Sequence, residues 1–141
     1  CYLEGRHSFE RFRSELEPGL VLGSGVAIYT WTTFNVEPTG YVEIGDGCTI
    51  VGGVFMCAER ISIGRDVVIS HHVTIADSDF HPLELQDRRA DAFANAPDAR
   101  DIPRPPVETS PVAIEEEDPV KVWLRIGACG LNASPYRVAQ T

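Results

Sequence analysis

Residues 75–89 read IADSDFHPLELQDRR, which brings three aspartates, a histidine, a proline and two arginines into one short stretch. An imidazole held at one nitrogen by a carboxylate keeps its other nitrogen free to take a proton. His81 is therefore a candidate general base, with Asp79 or Asp77 as the carboxylate that holds it. A base of this kind, well placed, contributes about 10²–10⁴ in rate. The competing reading is a loop histidine that caps the neighbouring chain by hydrogen bonding.

Other side chains in the sequence that could do chemistry are less organised. His71 and His72 are adjacent, and His7 lies far from both. The four cysteines, Cys1, Cys48, Cys57 and Cys129, form no CxxC pair. They read as small core fillers, and their isolation fits a reducing, cytoplasmic setting. The run IEEED at 114–118 reads as a solvated corner, because consecutive carboxylates do not converge on one ion without a dedicated loop. No metal is expected. The formal net charge of -9 over 141 residues argues against nucleic acid or an anionic membrane as the main partner. No stretch has the length of a membrane span.

The elements that must position His81 follow from a repeat. From residue 44 the chain divides into IGDGCT, IVGGVF, then IGRDVV, ISHHVT, IADSDF. Isoleucine opens each block, at 44, 50, 63, 69 and 75. A small or β-branched residue follows four places on in the first four blocks: Cys48, Val54, Val67 and Val73. LGSGVA and IYTWTT continue the register upstream, with Leu22, Val26, Ile28 and Thr32. Inward positions at i, i+4 and i+6 suit neither an amphipathic helix nor an alternating strand. They require a chain that runs extended, turns and runs again, so that stiff aliphatic side chains stack coil on coil. The expected fold is all-β, a parallel β-helix of hexapeptide repeats.

The next slot after Ile75 falls on His81, too polar for a dry aliphatic stack. The backbone must leave the coil there, and Pro82 supports the exit. The expected organisation is a single domain: an N-terminal cap over 1–19, coils over 20–80, an extended active-site loop over 81–111, a late coil over 112–133 and a divergent tail over 134–141. Apolar residues at 9, 12 and 16 predict a short helix in the cap. A loop of such length in a small domain is usually functional.

These segments resemble the hexapeptide-repeat, left-handed β-helix acyltransferases, the superfamily of the maltose, galactoside and xenobiotic acetyltransferases. VEIGDGCTIVGGVFMCAERISIGRDVVISHHVTIADSDFHP is similar to their central coils, HPLELQDRR to their His-Pro loop, and VAIEEEDPVKVWLRIGACGLNA to the coil after it. The resemblance implies a homotrimer with sites between subunits. It implies transfer from acetyl-CoA, or another acyl-CoA, to a small hydroxyl or amine acceptor without a covalent intermediate. His81 would deprotonate the acceptor, and Arg88 would help shape the acceptor pocket. His71 and His72, at turn positions of their hexad, read as surface or subunit-contact residues, with His72 a candidate to face the neighbouring subunit's site. Trp123, Gly127 and Ala128 would line the CoA channel.

The sequence departs from the family's pattern at VGGV (51–54), where sugar-modifying members are Asn-rich, and at Arg125, where they have Gly. The family continues with further coils past the position of Thr141, and the chain opens on Cys1, so a trimmed chain is expected. A trimeric scaffold with an incomplete CoA site is the alternative function. A γ-class carbonic anhydrase is a weaker one: His71 matches one of its zinc ligands, but Ala76 occupies the second position.

Overall fold

The structure is a computed structural model, and it describes residues 1–94 and 103–114, with the backbone of 123–124. Its strands, numbered in chain order, stack as the rungs of three walls in a parallel β-solenoid of about four turns. One wall holds β1 (Tyr2–Leu3), β3 (Ala27–Ile28), β6 (Thr49–Ile50), β9 (Val68–Ile69) and β12 (Trp123–Leu124). The second holds β4 (Thr33–Val36), β7 (Val54–Cys57) and β10 (Thr74–Ala76). The third holds β2 (Leu20–Leu22), β5 (Tyr41–Ile44), β8 (Arg60–Ile63) and β11 (Val112–Ile114). Every pair of stacked rungs is parallel.

The core consists of columns of inward side chains. Ile28, Ile50 and Ile69 form one, Val42 and Ile61 another, and Ile44 and Ile63 a third. Phe9, Phe34 and Phe55 make an aromatic ladder, with ring centroids 5.3 and 4.7 Å apart, and Ile75 sits above Phe55. All five isoleucines of the repeat are buried, as are Cys48, Val67 and Val73. Val54 is not: it is half-buried, and Phe55 takes the inward place. The left-handed Gly52 (φ 70°) and the buried Gly53 make this corner one residue shorter than its neighbours, so that five residues separate Ile50 from Phe55 where six separate Ile28 from Phe34 and Ile69 from Ile75.

A strict hexad on three walls would advance about 18 residues per coil. The observed steps are longer, 22 residues from Ile28 to Ile50 and 19 from Ile50 to Ile69. The surplus lies in the four-residue strands of the second and third walls, β4, β5, β7 and β8, while the corner between those walls shortens from Glu37–Gly40 in one coil to Ala58–Glu59 in the next. A second corner carries Trp31, Gly52 and His72, all at positive φ (66°, 70° and 64°). His72 is thus an exposed corner residue in a conformation that glycine adopts more readily.

The N-terminal cap differs from the expected helix over residues 9–16. A single 3₁₀ turn spans Arg6–Phe9, and the chain is extended beyond it, where Phe12 bridges Val36. Stacking Phe9 on Phe34 closes the end of the aromatic ladder, and Phe12 packs beside it, which a continuous helix would not permit on this register. The excursion after β10 is also not a structureless loop, since it contains an α-helix, α1, at Leu85–Ala94. Among the described residues no helix is long and apolar enough to cross a membrane.

Candidate active site

The second wall runs Val36, Cys57 and then Asp77 along its inner column. Asp77 thus occupies a place that the stack would fill with an aliphatic residue, and it is 1% exposed. Its carboxylate accepts hydrogen bonds from the backbone N–H groups of Ala58, Glu59 and Arg60, each at 2.7 Å. The Cys57 thiol lies 3.4 Å from the same carboxylate. Burial above all, with the Asp77 charge adding to it, pushes the Cys57 thiol up to about 12, so it stays a neutral, unreactive core group. A buried carboxylate is tolerated only with such a full set of donors. Asp77 therefore anchors the corner beneath it and does not hold His81, contrary to the expectation from sequence.

The Asp77 carbonyl also receives the Ser110 N–H at 2.7 Å, and Ser78 makes an antiparallel bridge with Thr109. Thr109 Oγ1 in turn donates to the Glu59 carboxylate. The outgoing and returning limbs of the excursion are thereby joined at their base. The chain quits the wall at Ala76, earlier than the hexad count suggests.

Phe80 then adopts a left-handed backbone (φ 55°), its N–H held by Ser78 Oγ at 3.1 Å. A non-glycine residue in this region is costly and has to be held by its surroundings. The turn at Phe80 directs His81 outward, and the imidazole side chain is 62% exposed.

The carboxylate that meets this imidazole is Asp91, on α1. His81 Nδ1 lies 2.6 Å from Asp91 Oδ2, and the Asp91 side chain is only 4% exposed. Asp79 is exposed and lines the cleft beside the histidine. So Asp91, and neither Asp77 nor Asp79, orients the ring. Arg104, on the returning limb, donates from Nε to Asp91 Oδ1 at 3.0 Å and from Nη2 to the Phe80 carbonyl at 2.8 Å. The hydrogen bond with His81 first, and Arg104 after it, hold the Asp91 carboxyl below the usual carboxylate range against the opposing effect of burial.

Helix α1 exists because LQDRRADAFA contains no glycine, proline or β-branched residue, and seven of its ten residues are the good helix formers Ala, Arg, Leu and Gln. Asp87 in its first turn complements the helix dipole. Asp91 is its one buried residue. Helix α1 stands on the solenoid through the excursion and presents Asp91 to the histidine.

His81 opens onto a cleft of about 250 Å³. Asp79 and residues 82–84 line one side, Asp87 the helix side, and residues 106–108 the returning side. Among the lining residues His81 is the sole base, while Asp79, Glu84, Asp87 and Glu108 carry carboxylates. Arg88 is not part of this lining. Its Nε donates to the Pro82 carbonyl at 2.8 Å, which ties α1 to the outgoing limb. His72 lies at its corner next to His71, the rings 6.4 Å apart, and is not in the cleft lining either. Trp123 sits on β12, paired with Val68, which extends the first wall by a rung. Gly127 and Ala128 lie outside the described residues. Among the described residues no group of three His, Cys, Asp or Glu side chains could hold a metal ion.

Asp91 and Arg104 were not signalled by motif. A helical reading of 85–94 would have put Asp87 and Asp91 on one face, four residues apart, toward the histidine limb. Nothing in IPRPP marks Arg104.

Compared with known proteins, the chain matches no family model, no curated protein and no solved structure.

Proposed function

We propose that this chain is a hexapeptide-repeat acyltransferase that moves an acyl group from acyl-CoA to a small acceptor, with His81 as general base. The observation that carries the reading is one outward imidazole on the rim of a cleft, held at Nδ1 by a buried aspartate. That pairing leaves Nε2 for the acceptor, as a base requires. In the step envisaged, Nε2 removes a proton from the acceptor hydroxyl or amine as it attacks the thioester carbonyl. The tetrahedral intermediate then expels the CoA thiolate, which takes the proton back from the imidazolium. The protein forms no covalent bond to the acyl group, in keeping with the neutral, buried Cys57 thiol.

The four carboxylates of the cleft favour an acceptor that carries an amine over one that carries a phosphate or carboxylate. The sequence resemblance adds a homotrimer in which the donor lies between neighbouring subunits.

Calorimetry with acetyl-CoA, followed by an acetyl-transfer assay on a panel of small amines and alcohols, tests the proposal. Binding heat is expected, and His81→Ala should lower transfer by about 10²-fold or more with the fold retained. An absence of heat at millimolar acetyl-CoA would leave a solenoid without donor affinity and favour the scaffold function.

A further inference from the structure

We propose that Arg104 is a positioning residue that selects the tautomer of His81. It would keep the ring protonated at Nδ1, toward Asp91, and bare at Nε2, toward the cleft. The inference takes its functional meaning from the reading of His81 as a base, but its test observes the ring and not acyl transfer.

Three contacts converge on this role. Asp91 offers two oxygens, and a carboxylate on one helix can rotate so that either, or neither, faces the imidazole. Arg104 Nε occupies Oδ1 at 3.0 Å, which fixes the carboxylate plane with Oδ2 turned to the ring at 2.6 Å. A charged guanidinium beside it keeps Asp91 an anion, and an anion accepts hydrogen bonds without donating any. The ring nitrogen facing it must then carry the proton, so the proton sits on Nδ1 and Nε2 keeps its lone pair.

The same guanidinium holds the Phe80 carbonyl at 2.8 Å, one residue before the histidine. Phe80 is the left-handed residue whose conformation sets the direction of the His81 side chain. Arg104 therefore controls both what the ring bonds to and where the ring starts from. An imidazole free in solution prefers the proton on Nε2, which would leave nothing there to accept a proton from an acceptor.

Nitrogen-15 NMR of histidine-labelled protein at alkaline pH distinguishes protonated from bare ring nitrogens, and the spectrum of His81→Ala assigns the signals. The unmutated protein is expected to show His81 mainly as the Nδ1–H form. In Arg104→Gln the ratio of that form to the Nε2–H form should fall about fivefold, the factor carried by one net hydrogen bond. Arg104→Lys, which retains a charged donor for Asp91, should keep Nδ1–H in the majority. Backbone amide shifts of β4, β7 and β10 serve as the check that the solenoid is intact. An unchanged ratio in Arg104→Gln, or equal forms in both Arg104 variants, would overturn the assignment. If the tautomer responds as stated while no acyl transfer is found, the positioning role stands and the transferase reading falls. If transfer is found while the tautomer is indifferent to Arg104, the transferase reading stands and the positioning role falls.

Discussion

Asp91 and Asp77 are both buried carboxylates within reach of the excursion, yet they do different work because of what donates to them. Asp77 takes three backbone N–H groups and the Cys57 thiol, and it is sealed inside the stack. Asp91 takes an imidazole and a guanidinium. A carboxyl held below its ordinary value contributes stability that is present above the unfolded value and lost as pH falls through the folded one. Asp91→Asn should therefore lower stability at neutral pH, and the gap to the unmutated protein should close below about pH 4. Thermal melts from pH 7 down to pH 2.5 check the sign. At this scale His81 was legible in the sequence, because a histidine falling on an aliphatic slot announces that the register has been left. Its partner was not, since nine residues of unassigned loop separate His81 from Asp91, and only the helix brings them together.

Among the elements, the rungs were the most legible part of the protein. Ile44, Ile50, Ile63, Ile69 and Ile75 all point inward, for the physical reason that a stacked column admits little else. The failure at Val54 is equally physical. A hexad count assumes equal corners, and the Gly52–Gly53 turn uses one residue fewer. The exchange of Val54 for Phe55 gives a direct test by chemical denaturation. Phe55→Ala removes the top ring of the aromatic ladder and should cost about 3–5 kcal/mol. Val54→Ala, on the half-buried outer side, should cost less than about 1 kcal/mol. Comparable losses in both would mean that Val54 shares the core. Helix α1 is not legible in the sequence, for seven of its ten residues are exposed. It therefore lacks the apolar stripe by which a surface helix is usually recognised, and its composition was the only available sign.

For the molecule as a whole, the excursion behaves as an appendage whose two ends meet at its root. The bond from Ser110 to Asp77 and the Ser78–Thr109 bridge hold those ends together at the wall itself, below the Arg104–Phe80 contact. Replacing residues 80–107 by a short Gly-Ser linker should leave the solenoid folded, since shortening a closed loop changes its entropy little. Circular dichroism would show the strand signal retained, and any acyl transfer should vanish. The proposed homotrimer predicts sedimentation at three times the chain's mass of 15.5 kDa. A monomer at micromolar concentration would remove the intersubunit donor site. The antiparallel bridge at the root has one further effect. A solenoid is an open template, and the upper rim of β10 offers backbone groups to whatever strand arrives next in the same direction. A segment running the opposite way pairs with Ser78 just beyond that rim, so among the described residues the parallel stacking of this wall gives way there to an antiparallel contact made by the segment that forms the cleft.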